Sequence, residues 1–282
     1  KRLREIEPHV EGIQALYSPT TGIVDFGRVA HAYADEVQAR GGTILTGHEV
    51  TDITQRDGLR QLVTPAGTIE ARIVITCAGV YADRVARLTG APESPKIVPF
   101  RGDYYVLRPE RAEMVRSLIY PVPDPRFPFL GVHFTRRIDG SVWLGPNAVL
   151  AFSREGYRFR DVNLRDLTET LAFPGFRKLA RRYWRTGGAE MYRDLSKRSF
   201  LKALQRYMPD LRPDDLLPGP SGVRAQALAP DGSLVDDFVV DRQEGALHVR
   251  NAPSPAATSS LAIAELIADA VEETTGLGTA RV

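Results

Sequence analysis

Apolar residues along the chain recur with two periods, and the switches between them mark the elements. Over residues 26–40, Val29, Ala30, Tyr33, Ala34 and Val37 recur at helical spacing, and Gly41-Gly42 ends that helix. Residues 43–46 and 49–53 read as short strands, and 59–64 with 68–75 as a hairpin around Pro65-Ala66-Gly67. Ile73-Val74-Ile75-Thr76-Cys77 is a continuous apolar run, the pattern of a strand buried on both faces. It meets Ala78-Gly79, and residues 80–89 turn helical. Strand, small-residue turn and helix together have the form of a nucleotide-binding crossover. Close packing of an ordinary turn explains Ala78-Gly79 equally well.

The middle of the chain changes character. A strand is expected over 96–107 and a short helix over 109–117. Prolines at 121, 123, 125 and 128 force an extended path outside any sheet. Residues 129–136 and 141–145 read as paired strands around a two-residue turn, Asp139-Gly140. Helices are expected over 164–172, 176–184 and 190–207, and residues 209–220 read as a Pro-rich linker. Strands return at 222–229, 238–241 and 247–250, followed by a helix from about Ala256 with Ala257, Leu261, Ala264, Ile267 and Val271 on one face. The α/β pattern of the start therefore recurs at the end. The expected fold is α/β with an α+β insert: a Rossmann-like domain in 1–95 and 216–282, split by an antiparallel-sheet domain in 96–215.

Between the last strand and the last helix lies Asn251-Ala252-Pro253-Ser254-Pro255-Ala256-Ala257-Thr258. Pro253 and Pro255 disfavour helix just before them, Ser254 can cap, and Pro255 suits a first helical turn. A helix N-terminus bordered by small residues suits an anion or a polarised carbonyl. An ordinary strand-to-helix turn accounts for the same residues.

Composition narrows the class. With 43% hydrophobic and 26% charged residues over 282 positions, the chain is of soluble globular type. A net charge of +2 gives no electrostatic case for nucleic acid. The single cysteine, Cys77, excludes an intrachain disulfide and any multi-cysteine metal site, and suits a reducing compartment such as the cytoplasm. It reads better as a small buried hydrophobe than as a thiolate. Arginines 154, 158, 160, 165, 181, 182 and 185 make the insert basic, which reads first as a solvated face and second as a membrane-surface contact.

Arginines among apolar strand residues carry most of the chemistry. Arg101 and Arg224 sit in such surroundings, where burial without an anion is costly. A guanidinium fork binds carboxylate bidentately, and the alternatives are internal pairs with Asp103 or Asp236. His133, within a strand, is a candidate general base or else a hydrogen-bonded structural histidine.

Six segments occur together and in order: Pro99-Phe100-Arg101-Gly102-Asp103-Tyr104, Tyr120-Pro121-Val122-Pro123-Asp124-Pro125, Pro128-Phe129-Leu130-Gly131-Val132-His133, Gly145-Pro146-Asn147-Ala148, Gly222-Val223-Arg224-Ala225-Gln226 and Asn251-Ala252-Pro253-Ser254-Pro255-Ala256-Ala257-Thr258. In these the chain closely resembles the L-2-hydroxyglutarate dehydrogenase/oxidase family, FAD enzymes of the D-amino-acid-oxidase-like group. The resemblance reaches to about Glu273 and looks like the C-terminal two-thirds of such an enzyme. The G-x-G-x-x-G loop that opens the family's longer members has no counterpart here, so this chain alone is expected to bind FAD weakly or not at all.

The resemblance implies hydride transfer from C2 of L-2-hydroxyglutarate to flavin N5, giving 2-oxoglutarate, with electrons passed to a quinone, another acceptor or oxygen. It implies substrate binding by Arg101, Tyr104, His133 and Arg224, with His133 and Arg224 catalytic. It also implies flavin contacts from Val50, Cys77, Ala78, Gly79, Asn251, Pro253, Ser254, Pro255, Ala256, Ala257 and Thr258, and a place in the cytoplasm or peripherally at an inner membrane, mitochondrial in a eukaryote. The alternatives are another oxidase of the group, acting on an amino acid, sarcosine or glycerol 3-phosphate, and a non-catalytic binding module.

Overall fold

The computed structural model describes residues 2–122, 131–253 and 256–275, the side chains of 185–195 and 275 excepted. Its residues form two compact units. Unit 1 takes Lys1–Tyr33, Phe100–Leu164 and Ala180–Arg224; unit 2 takes Ala34–Pro99, Arg165–Leu179 and Ala225–Val282. The elements in chain order begin with helices α1 (Arg2–Ile6) and α2 (Phe26–Ala39). Strands β1 (Asp52–Arg56), β2 (Leu59–Thr64), β3 (Gly67–Ala71) and β4 (Val74–Thr76) come next, then helix α3 (Ala82–Arg87). Strands β5 (Lys96–Leu107), β6 (His133–Arg136), β7 (Val142–Gly145) and β8 (Val149–Leu150) lead to helices α4 (Leu164–Ala172), α5 (Pro174–Leu195) and α6 (Lys197–Leu204). Strands β9 (Leu216–Leu228), β10 (Val239–Gln243) and β11 (Ala246–Asn251) and helix α7 (Ser260–Thr275) complete the chain.

Unit 1 is built on a sheet ordered β6-β7-β5-β8, with β9 also pairing β5. Side chains alternate between the faces of a strand. Phe134 pairs with Leu144, and Leu144 with Tyr105, so these three share one face. That face is buried together with Phe200, Leu201 and Leu204 of α6. Each such side chain contributes roughly 1.5–3 kcal/mol on burial, which fixes this face as the core side. Tyr104, Trp143 and His133 therefore belong to the other face. Ser196 caps α6, its hydroxyl accepting the Ser199 N–H at 3.3 Å. Buried Glu7 anchors α1 by accepting the backbone N–H groups of Ser117 and Arg116 at 2.6 and 3.2 Å.

Three readings of this region are corrected. The β6–β7 connection uses three residues rather than two: Arg137 N–H donates to Ser141 O at 2.8 Å, and Gly140 takes φ +82°. This is the turn-plus-left-handed-residue form of hairpin. The supposed linker holds a 3₁₀ turn at Pro213–Asp215, and then β9 begins at Leu216 despite Pro218 and Pro220. Gly219 allows this close pairing, since a Cβ there would lie 2.6 Å from Tyr104 O. In place of helices over 176–184 and 190–207 stand α5, kinked at Tyr183 (φ −116°, ψ 20°), and the shorter α6.

Unit 2 contains an antiparallel meander, β1-β2-β3, and a sheet ordered β10-β11-β4. In the latter, β11 runs parallel to β4, with Ala246, Leu247 and His248 opposite Val74, Ile75 and Thr76. Leu247, Val249 and Ala270 form the buried centre, with Ile267 and Val271 of α7 against it. Arg84 of α3 pairs with Asp166 at 2.5 Å and Glu169 at 2.9 Å on α4. Arg250, almost fully buried, is held by Asp241 at 2.5 Å and by the carbonyls of Pro92 and Pro95 at 3.0 and 2.9 Å.

Here too the pattern misleads in places. Residues 43–46 form no strand; Ile44 and Leu45 are 41% and 51% exposed, and no ladder partner stands beside them among the described residues. The run around Ile75 is a three-residue strand buried on one face only, with Ile75 itself 47% exposed. Cys77 is exposed rather than a buried hydrophobe, because it lies just past the end of β4. Residues 256–259 make a turn closed by Ser259 N–H to Ala256 O at 3.2 Å, so α7 starts four residues later than its pattern suggested. Its inward face is Ile267, Ala270 and Val271, leaving Leu261 67% exposed. Arg154, assigned to the solvated basic face, is buried.

Candidate active site

In unit 1, the sheet face opposite α6 gathers the polar and aromatic residues. His133 pairs with Gly145, which carries no side chain; a Cβ on Gly145 would meet Asp103 O at 2.9 Å and the Phe200 ring at 3.3 Å. On the other side of His133, the bridge between Ile119 and Phe134 brings Tyr120 alongside. The Tyr120 ring stacks on the imidazole with centroids 4.4 Å apart and planes 29° apart. One row thus runs Tyr104, Gly145, His133, Tyr120. The next row holds Trp143, paired with Val106 and Thr135, and its ring lies 5.3 Å from that of Tyr104.

The protonation of His133 follows from its contacts. Nδ1 lies 3.1 Å from Gly131 O, a pure acceptor, so Nδ1 carries the hydrogen and Nε2 keeps its lone pair. Nε2 has no hydrogen-bond partner among the described residues. Burial pushes the imidazole pKa below its ordinary 6.5; the Gly131 bond opposes this, and the Arg224 charge adds to it. A neutral, oriented imidazole with a free lone pair is the form a general base needs. Burial raises the Tyr104 pKa, with Arg224 and Arg137 opposing and Tyr120 adding. Its phenol stays protonated at neutral pH and can donate a hydrogen bond.

Arg101 is occupied within the protein. Its Nε lies 2.9 Å from both oxygens of Asp103, its Nη2 is 2.8 Å from Oδ2, and it is only 2% exposed. The internal-pair alternative is therefore the arrangement present, and Asn147 Oδ1 accepts the Asp103 N–H at 2.7 Å to hold the loop. The half-buried Arg224 lies near enough to Tyr104 and His133 for its charge to act on both. Tyr120, Arg137 and Trp143 were not singled out from sequence, although Tyr120 opens one of the quoted segments.

In unit 2, parallel pairing of β4 and β11 sends both carboxyl ends to one edge. The turn Cys77-Ala78-Gly79 follows β4 there, and Asn251 and Ala252 close β11 at the same end. Ligands of open α/β sheets bind outside such ends. Gly79 takes φ +51° and has no heavy atom within 4 Å of where a Cβ would stand. Small side chains, open space and backbone amides at a parallel edge fit the flavin that the sequence implies. The Asn251 side-chain nitrogen is spent on the protein itself, donating to the carbonyls of Val235 at 3.0 Å and Asp237 at 2.8 Å. Ala256, Ala257 and Thr258 lie in the turn before α7, Pro253 just after β11, and Ser254 and Pro255 outside the described residues. Val50 is half-buried two residues ahead of β1.

Comparison with known proteins places these features in a family. The chain is 56% identical to the mitochondrial L-2-hydroxyglutarate dehydrogenase of Nematostella vectensis, over 96% of this chain and 64% of that protein. It is 48% identical to the human mitochondrial enzyme of that name, over 96% of this chain and 62% of that one. The chain thus spans less than two thirds of the length of these curated relatives. Among solved structures, an L-alpha-glycerophosphate oxidase from Mycoplasma pneumoniae with FAD bound superposes with a TM-score of 0.67 at 20% identity, over 96% of this chain and 62% of that one. A glycine oxidase from Bacillus cereus gives 0.61 at 16% identity, over 97% and 64%. No helix among the described residues is long and apolar enough to cross a membrane. The family model for FAD dependent oxidoreductases matches residues 1–270, and the chain belongs to that family.

Proposed function

We propose that this chain carries the substrate-binding face and part of the flavin-binding edge of an enzyme that oxidises L-2-hydroxyglutarate to 2-oxoglutarate. The observation that carries this reading is His133 Nε2: a neutral base whose lone pair has no partner among the described residues, on one sheet face with Tyr104 and near Arg224. The names and identities of the relatives support the choice of substrate.

Bound FAD supplies the hydride acceptor for the C2–H, and Ala78, Gly79, Ala256 and Ala257 are the residues that would border it. The chain's own residues do the rest. Arg224 holds the C1 carboxylate by a charge-assisted fork. Tyr104 donates a hydrogen bond to the substrate. His133 Nε2 takes the C2 hydroxyl proton, and Gly131 O and the Tyr120 ring fix the imidazole plane while it does so. Arg101 is given a positioning role, bracing Asp103 beside Tyr104. A quinone, another acceptor or oxygen would take the electrons onward.

The test is turnover of L- and D-2-hydroxyglutarate by the flavin-loaded enzyme with a dye acceptor. Oxidation of the L form is expected, with a fall of roughly 10²–10⁴-fold in His133→Gln. Selective oxidation of the D form, or full activity in His133→Gln, would sink the reading.

A further inference from the structure

Beyond the base and Arg224, one more cation lies on the same face. Arg137 follows directly on β6, at the same parity as His133 and Thr135. Its guanidinium lies over the Trp143 ring, 4.2 Å from the centroid, and that ring neighbours Tyr104. No carboxylate lies within ion-pair distance of Arg137 among the described residues. The nearest acid in sequence, Asp139, is instead bonded through Oδ1 to Ser141, N–H at 2.9 Å and hydroxyl at 2.7 Å. The arginine is half-buried and oriented by a tryptophan; its charge acts on the exposed Asp139 carboxylate, but no ion pair holds it among the described residues.

We propose that Arg137, seated on Trp143, binds the second carboxylate of the substrate and so makes the site selective for dicarboxylates over monocarboxylates. The spacing supports this. Trp143 pairs with Thr135, two residues from His133, which is about 6.6 Å along a strand. The terminal carbons of a five-carbon diacid are about 5 Å apart, four bonds of ~1.5 Å in zigzag. Arg137, seated over Trp143, therefore stands at a distance from His133 that suits the far carboxylate of such a diacid with its C2 beside the imidazole. The Arg224 charge acts on both His133 and Tyr104, and the Arg137 charge acts on Tyr104. This assignment rests on the roles given above to His133 and Arg224.

Trp143 offers a readout independent of flavin and of turnover. The chain has two tryptophans, and Trp184→Phe leaves Trp143 alone. In that background, glutarate should change the Trp143 emission saturably, and butyrate should bind roughly 10- to 100-fold more weakly, the range for a lost charged hydrogen bond. Adding Arg137→Gln should bring glutarate to within about threefold of butyrate, whereas Arg137→Lys, which keeps the charge and loses the fork, should fall between. In the flavin-loaded enzyme Arg137→Gln should raise KM for L-2-hydroxyglutarate with little change in kcat. An undiminished glutarate preference in Arg137→Gln, or no saturable response in the parent, overturns the proposal. Failure of the flavin-loaded parent to oxidise L-2-hydroxyglutarate would instead remove the function proposed above, and the fluorescence result would stand by itself.

Discussion

His248 is fully buried in β11, and both ring nitrogens are engaged. Thr89 Oγ1 donates to Ala86 O at 2.9 Å, so at 2.7 Å it accepts from His248 Nε2–H. Nδ1 then accepts the Thr76 hydroxyl at 2.8 Å. One imidazole thereby joins the last residue of β4, the residue before Cys77, to the segment after α3. His248→Leu removes two hydrogen bonds of about 1 kcal/mol each and strands the buried Thr76 hydroxyl, a further ~1–3 kcal/mol offset in part by the apolar side chain. A loss of about 2–4 kcal/mol is expected. With a urea m-value of about 3 kcal/mol/M, the midpoint should fall by roughly 1 M.

Acid should narrow that gap. Burial first, then the charges of Arg250 and Arg60, hold the His248 pKa below 6.5, with Asp241 opposing. The unfolded chain therefore binds the proton more readily than the folded one. The stability His248 contributes is complete above about pH 6.5 and declines as pH falls below it. Urea unfolding followed by far-UV circular dichroism at pH 7.5 and pH 5.5 tests both points. A change under 0.5 kcal/mol in His248→Leu, or a gap that widens in acid, would refute the reasoning.

Further outcomes follow from other contacts. In the pH profile of kcat/KM, the acid limb set by His133 should lie below pH 6.5, and Arg224→Gln should move it upward by removing a nearby cation. A limb unmoved by that variant would remove Arg224 from the vicinity of the base. Gly219→Ala places a methyl 2.6 Å from Tyr104 O and should cost about 1–3 kcal/mol by thermal melting, since backbone on both sides must shift. Asp166→Ala leaves Arg84 with Glu169 alone and should destabilise by roughly 1–3 kcal/mol in the same assay, with little effect from Arg165→Ala on the exposed side of that carboxylate.

Local alternation and spacing were enough to read β5 from Lys96 to Leu107 and α4 from Leu164 to Ala172 with the bounds they have. Where pairing decides, local pattern fails. Residues 43–46 have strand composition but no ladder partner among the described residues, whereas Pro218 and Pro220 sit in a real strand because β9 has β5 beside it. The site divides in the same way. His133 and Arg224 announce themselves as polar residues in apolar strands. Tyr120 acquires its place only through the bridge of Ile119 to Phe134, and Arg137 only through a hairpin one residue longer than its turn signal suggested. Arg101 looked like a ligand-binding cation by composition, but Asp103 two positions away satisfies it.

The chain passes between its two units at 33/34, 99/100, 164/165, 179/180 and 224/225. All five passages fall inside regular elements: α2, β5, α4, α5 and β9. A protease acting on loops would find no linker whose cleavage releases either unit, and neither can be excised at the gene level without cutting through a helix or strand. Shuffling such a chain by recombination therefore means exchanging both units together.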